Sequence, residues 1–386
     1  MNKPPQFVFI GRDDLTNVQT WSGIPFHINK AFEAYSTAPF FIDELGYPNT
    51  PSIKVKNQIR GWFNTKNYYS FETAKFYADQ INKKLDQLHL NYDFLFFIDF
   101  IEAIPFIKTK KPIIQYTDAS KAHLKLLNYK TYQFTNKELQ QVLELEQASF
   151  NNSDLVILTS NMAKNFIHKQ YNLPNNKLSV LPFACHIFPE PIDYSVNGPW
   201  KQSSEHCNFL FIANEWKRKG GDQAIELIKS LNENNFPAKL TICGAYPNDS
   251  SKLEENYFDF YPFLHKDVEI EHQQIEKLMS NAHFLLLPTH ADVTPLVLSE
   301  AFAFGLPIIS SKVGAIDEIV GDSQGILFNP NFNIQQITHD IIKLFNSNKQ
   351  YQQMRIACRK EFINKYHFKD WVRQLTEKCA RTKKGI

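Results

Sequence analysis

Residues 283–311 read HFLLLPTHADVTPLVLSEAFAFGLPIISS. HFLLLPT (283–289) and PIISS (307–311) are short apolar runs of the kind that form buried strands. The segment between them, 295–304, is long and apolar enough for a packed helix. The stretch is therefore a strand–helix–strand unit, the repeating element of parallel-sheet α/β architecture. Glu300 sits in the middle of that apolar helix. A buried structural hydrogen bond is the plain reason for such a carboxylate. Whether a better reason exists depends on the rest of the chain.

The same alternation continues on both sides. Upstream lie NFLFIAN (208–214), a helix over about 221–234, AKLTICG (238–244) and a helix near 272–281. Earlier still, FVFI (7–10), FLFFID (94–99), PIIQYT (112–117) and LVILT (155–159) read as strands. YQFTNKELQQVLELEQASFN (132–151) reads as a helix facing a sheet, with Leu139, Val142, Leu143, Leu145 and Phe150 on its apolar side. Residues 182–206 carry four prolines, a glycine and a polar cluster, which breaks the pattern and marks a linker. A chain of 386 residues exceeds what one core usually serves. The expectation is two doubly wound α/β domains, residues 1–190 and 205–365.

Composition removes several function classes. Lys plus Arg number 42 against 40 Asp plus Glu, so no net field steers the chain to nucleic acid. The five cysteines are widely spaced with no C-x-x-C pair, which argues against zinc or redox chemistry and for a reducing cytosol. The N-terminus, MNKPPQFVFIGRDDL, lacks the features of a signal peptide. The most apolar segment, 92–107, is interrupted by Asp93, Asp99, Glu102 and Pro105 and does not read as a membrane span. The 33 phenylalanines are dispersed and read as core packing. Neither a P-loop nor a G-x-G-x-x-G fingerprint is present.

In open α/β sheets ligands bind beyond the carboxyl ends of the strands, so the residues there carry the functional signal. After the first strand comes TWSGIPFHINKAF, with Gly23 before a helix; after PIIQYT comes Asp118; after NFLFIAN comes EWKRKGG; after HFLLLPT comes HADVTPLVLSE. Each has a bland explanation. Ser22-Gly23 suits an ordinary turn and N-cap, Lys217-Arg218-Lys219 a solvated run, and Asp118 and Ser160 the caps of helices. Taken together, basic residues, a helix N-terminus and isolated carboxylates suit a diphosphate that carries hydroxyl groups, which points to a nucleotide sugar.

These residues also carry a resemblance. DVTPLVLSEAFAFGLPIISSKVGAIDEIV resembles the acid–seven residues–acid signature of retaining GT-B glycosyltransferases of family four, with Asp292 at the first acid and Glu300 at the second. FIANEWKRKGGDQAIEL resembles that family's Gly-Arg, spacer, Lys-Gly element. Lys219 falls on the phosphate-binding lysine and Asn214 on the arginine. WSGIPFHINKAF resembles the first glycine loop, with Gly23, and YTDASKAHLKLLNY and ELEQASFNNSDLVILTSNMAK resemble the remainder of the N-terminal domain.

The resemblance implies a GT-B fold: two Rossmann-like domains facing each other across a cleft, with the C-terminal helix (366–386) returning to the N-terminal domain. It implies a nucleoside diphosphate sugar as donor substrate, no cofactor and no metal; the sequence has no D-x-D triplet. Glu300 would accept from the ribose diol, and the amides of Leu296 and Val297 would hold the distal phosphate. Lys219 with Arg218 would neutralise the leaving diphosphate. Gly244 would leave room for the base. Asp292 would meet the sugar hydroxyls from about 1.5 Å further back than a glutamate. Asp118 takes the position of a histidine beside the sugar. The expected acceptor is a glycan, lipid-linked or other cell-envelope molecule. His123, Lys125 and Lys130, or Lys164 and Lys169 with Phe166 and Ile167, are candidates for anionic-acceptor or peripheral membrane contact, with solvated surface as the plainer reading. A nucleotide-sugar-binding protein without catalysis is the alternative, motivated by Asp292 and Asn214.

Overall fold

Runs such as Phe7–Ile10, Phe94–Ile98 and Phe284–Leu287 are apolar at every position and buried at every position. Strands covered on both faces by helices require that composition. The computed structural model describes residues 4–48, 70–88, 91–127, 129, 134–187, 205–247, 256–331 and 333–382. The chain divides into two units: Met1–Pro182 with Phe368–Ile386, and Phe183–His367.

The first unit runs β1 (Phe7–Ile10), α1 (Ile24–Tyr35), β2 (Phe40–Ile42), α2 (Phe71–Gln87), β3 (Phe94–Ile98), β4 (Ile113–Thr117), α3 (Lys121–Leu126), α4 (Asn136–Asn151), β5 (Leu155–Leu158), α5 (Asn161–Tyr171) and β6 (Leu178–Val180). Its sheet is parallel, in the order β2-β1-β3-β4-β5-β6. Phe7, Phe9, Phe32, Phe94 and Phe96 pack between β1, β3 and α1 at ring separations of 5.1–6.3 Å. The dispersed phenylalanines are core here, as the sequence suggested.

The second unit runs β7 (Cys207–Ala213), α6 (Trp216–Lys219), α7 (Gly221–Glu233), β8 (Ala238–Gly244), β9 (Phe258–Tyr261), α8 (Glu269–Asn281), β10 (Phe284–Leu287), α9 (Leu296–Ala303), β11 (Ile308–Ser311), α10 (Ile316–Ile319), β12 (Gly325–Phe328), α11 (Ile334–Asn346) and α12 (Asn348–Glu361). Its sheet is parallel, in the order β12-β11-β10-β7-β8-β9. That is the Rossmann strand order, and it reverses direction between β7 and β10. The last helix, α13 (Phe368–Thr382), belongs to the first unit and packs on α1, as expected for a returning C-terminal helix. Trp371 Nε1 donates to the Pro182 carbonyl at 2.8 Å, and Lys378 Nζ donates to Ser179 Oγ at 2.9 Å. Among the described residues no helix is long and apolar enough to cross a membrane.

Four strands and five helices (α2, α6, α10, α11 and α12) go beyond the sequence reading. The strands, β2, β6, β9 and β12, are the four sheet edges. Edge strands are short and half covered, so their apolar signal is weak. The helix read over 132–151 starts at Asn136, where Thr135 and Glu138 form a capping box. The TNKE spelling of that box is itself a start signal.

Gly220 joins α6 to α7 with φ +81°, and a Cβ there would lie 1.9 Å from the Pro288 carbonyl oxygen at the end of β10. Gly220→Ala should lower stability by about 2 kcal/mol or more, combining left-handed strain with a backbone collision. Denaturant unfolding followed by circular dichroism checks this; an unchanged midpoint would remove Gly220 as a constraint.

Candidate functional site

The reversal between β7 and β10 places the segments that follow them side by side. Their contact is sewn by backbone: the Arg218 carbonyl accepts from His290 N at 2.8 Å and from Thr289 Oγ1 at 3.0 Å. Gly221 lies so close to the Trp216 ring that a Cβ would overlap it, which seats the short helix α6 against the sheet. From α6 the Lys219 ammonium forms an ion pair with Asp292. Arg218 Nη1 donates to the Ala291 carbonyl at 2.9 Å and lies 3.6 Å from the same Asp292 carboxylate, while its Nε and Nη2 donate to Glu215 Oε1 at 2.9 and 2.8 Å. Lys217 points to solvent. Of the three consecutive basic residues, two thus turn inward and only Lys217 fits the solvated-run reading.

Asp292 is fixed from its own backbone as well. Gly314 has φ +59°, and a Cβ there would sit 1.7 Å from the Asp292 carbonyl oxygen. Ala315 N donates to the Val293 carbonyl at 2.9 Å. The chain after β11 therefore braces the Asp292 loop.

Helix α9 begins after Pro295 in extended geometry (φ −64°, ψ 120°), so the amides of Leu296 and Val297 lie in a first turn with no intrahelical acceptor. Glu300 is one turn further along, its side chain 3% exposed and ion-paired with Lys266. Lys266 lies in the loop after β9 and was absent from the sequence reading, because the edge strand that presents it gave no recognisable signal. The Cys185 thiol is pushed well up, first by burial and then by the negative charge of Glu300. Asn214 is exposed at the end of β7. Gly244 is paired in register with Ala213, has φ +98°, and could carry no Cβ because the Ala213 carbonyl would be 2.3 Å away. Strand geometry alone demands that glycine.

In the first unit, Gly23 is the N-cap of α1 in left-handed conformation (φ 79°), preceded by Trp21 and Ser22, also at positive φ. Asp118 is half-buried in the turn after β4. It does not cap α3, contrary to the bland reading: Ser120 does, accepting from His123 N at 3.2 Å. Ser160 caps α5, with Ala163 N donating to it at 3.2 Å. Asp99, unremarked as a functional candidate, accepts from Thr117 Oγ1 at 2.9 Å and pairs with Lys121 at 3.4 Å. Glu146 on α4 is buried and accepts from Lys121 N at 2.5 Å, Ala122 N at 3.4 Å and the Tyr171 hydroxyl. It thereby holds the first turn of α3, directly after Asp118.

The surface candidates are corrected in part. His123 is buried and stacked on Phe166 with centroids 4.2 Å apart, and burial pulls its pKa down to about 4, so it is neutral and no anion contact. Ile167 is fully buried in the first unit's core, so it does not belong to an outward apolar patch. Lys125 Nζ donates to the Phe134 carbonyl at 3.1 Å. Lys130 lies outside the described residues.

Comparison with solved structures identifies the architecture. The chain superposes on sucrose-phosphate synthase from Thermosynechococcus elongatus with a TM-score of 0.69 at 13% identity, over 99% of this chain and 100% of that one. Anabaena HepE, solved in complex with UDP, gives a TM-score of 0.65 at 14% identity over 97% and 100%. The protein has the GT-B glycosyltransferase fold of two Rossmann-like domains. Residues 201–361, which lie within the second unit, match the family model of glycosyl transferases group 1. The capsular polysaccharide biosynthesis glycosyltransferase CapM of Staphylococcus aureus is 25% identical over 221 residues, 54% of each chain. The matched segment spans about half the length of such curated relatives.

Burial raises the Glu146 carboxyl from its ordinary 4.5 to about 7, against the lowering effect of the Tyr171 hydroxyl and the amides of α3. Folding therefore favours the protonated form: the contribution is complete below about pH 4.5 and is lost as pH rises through about 7. Relative to Glu146→Gln, the wild-type melting temperature should fall across that window. Parallel curves for the two proteins in differential scanning calorimetry would contradict this.

Proposed function

We propose that the protein is a retaining glycosyltransferase that moves a hexose-type sugar from a nucleoside diphosphate sugar to a glycan, lipid-linked or other cell-envelope acceptor, without a metal ion. The observation that carries the reading is the meeting of Lys219, Arg218 and Asp292 at the strand-order reversal, on the same loop as the open amides of α9. Lys219 and Arg218 present two cations there; Arg218 also pairs with Glu215, whose side chain is 57% exposed, so an arriving diphosphate would compete only with a solvent-screened contact. The helix N-terminus adds donors and a favourable dipole.

In this reading the diphosphate lies on the amides of Leu296 and Val297. As the sugar–oxygen bond breaks, charge grows on the diphosphate, and Lys219 and Arg218 stabilise it. Glu300 accepts from the ribose diol. Asp292 meets the sugar hydroxyls and keeps the two cations oriented. Asn214 and Gly244 border the nucleoside. The acceptor class draws support from the capsule-related name of CapM, and the donor class from the UDP held by HepE. The reading places the protein in the cytoplasm, at the inner face of the membrane where its acceptor requires it. A binding protein without turnover is the second reading, favoured by the exposure of Asn214 and the ion-paired state of Asp292.

The two readings separate on a panel of nucleoside diphosphate sugars incubated with pooled envelope acceptors, with and without EDTA. Turnover insensitive to EDTA, with the product's anomeric configuration matching the donor's by NMR, is expected. Tight binding with no turnover across the panel selects the binding protein. Glu300→Ala should weaken donor binding on the order of a hundredfold, since about 2–3 kcal/mol of charge-assisted hydrogen bonding is lost; an unaltered calorimetric titration would remove the ribose assignment. Lys219→Ala should depress kcat more than it raises KM, whereas equal losses would speak against stabilisation of the leaving group.

A further inference from the structure

We infer that Lys266 is a donor-binding residue that reads the ribose together with Glu300, so that a cis-diol is recognised by an ion pair and not by a carboxylate alone. This rests on the donor reading above and adds a residue and a ligand selectivity to it. The ligand class is a nucleoside diphosphate with free 2′ and 3′ hydroxyls.

The first argument is exposure. The Glu300 side chain is 3% exposed and the Lys266 side chain 24%, so Lys266 is the more solvent-facing partner of the pair. A ligand group that bonds Glu300 beside that contact lies within reach of Lys266. The second is preorganisation. Lys266 is held by α8: His272 Nδ1 lies 3.0 Å from the Lys266 carbonyl. His265 N donates to Glu271 Oε2 at 2.5 Å, and Glu271 N and His272 N both donate to the Val268 carbonyl at 2.8–2.9 Å. These bonds fix the backbone on both sides of Lys266, and the ion pair with Glu300 holds its side chain, so less side-chain entropy opposes a defined contact than for a free surface lysine.

The third argument is the chemistry of a vicinal diol, in which each hydroxyl both donates and accepts. A carboxylate offers about four lone-pair sites and an ammonium three protons. After the mutual contact, Glu300 retains acceptors and Lys266 retains donors, and the pair can satisfy both faces of a diol. A lone Glu300 would leave hydroxyl lone pairs unmet. It would also place an uncompensated negative charge on the same helix whose first turn is proposed to hold the diphosphate.

The test uses the full chain and calorimetric titration with UDP, GDP and ADP to find the diphosphate that binds, followed by its 2′-deoxy counterpart. Lys266→Met should weaken the ribonucleotide roughly tenfold and the deoxynucleotide by much less, shrinking the discrimination, and Lys266→Arg should restore part of it. In wild-type protein, acetylation of Lys266 read by mass spectrometry should be slowed by the ribonucleotide more than by the deoxynucleotide, which gives a readout that does not depend on any variant folding. If Glu300→Gln weakens binding while Lys266→Met does not, or if Lys266→Met weakens both nucleotides equally, the inference falls and the donor reading stands. If none of the three diphosphates binds wild-type protein at millimolar concentration, both fall together.

Discussion

The second unit depends on the contact between Gly220 and the carbonyl of Pro288. Parallel pairing of β7 with β10 puts the chain leaving one strand against the chain leaving the other, and at that point no side chain fits between them. Any Cβ would push α6 away from the end of β10, and with it Arg218 and Lys219. The hydrogen bonds from His290 and Thr289 to the Arg218 carbonyl depend on the same approach. Gly314 plays the matching part from the third segment, since the Asp292 carbonyl occupies the space its side chain would need. The charged groups are therefore positioned by rigid backbone, and their long side chains need only short excursions to meet.

Both acids of the pair already have cations: Asp292 has Lys219 and Arg218, and Glu300 has Lys266. Burial explains why. The Asp292 and Glu300 side chains are 10% and 3% exposed, and a carboxylate withdrawn that far from water without a partner would be costly. The two ends differ in exposure: Glu300 and Asp292 are withdrawn from water, whereas Glu215, the second partner of Arg218, has a side chain 57% exposed.

Much of this architecture was legible in the sequence because buried parallel strands are uninterrupted apolar runs. β1, β3, β5 and β10 appeared in that way, β4, β7, β8 and β11 as apolar runs broken by a few polar residues, and α9 as an apolar helix with Glu300 on it. The edge strands did not, and the loss of β9 took Lys266 with it. The pairing of Lys219 with Asp292, 73 positions apart, required knowledge that β7 and β10 are neighbours, which local pattern does not contain. Asp118 illustrates a different limit. Aspartate three residues before a helix reads as a cap, yet Ser120 has the geometry and takes the role. His123 and Ile167 misled as surface candidates because helix faces are assigned by packing partners, and here Phe166 stacks on His123 while Ile167 enters the core.

The two departures from the family pattern, Asn214 and Asp292, are best understood together. With arginine at the first position, lysine at 219 and glutamate at the first acid, the pattern would carry two positive charges and one negative. Here the Asn214 position has lost its charge and its residue is exposed, but Arg218 reaches within 3.6 Å of the Asp292 carboxylate. Counting Glu215, which Arg218 also bonds at 2.8–2.9 Å, the local sum here is two positive and two negative. An aspartate, with its carboxylate nearer the backbone, leaves more space for a guanidinium arriving from α6. Arg218 thus brings a cation from α6 toward the acid, where position 214 has none.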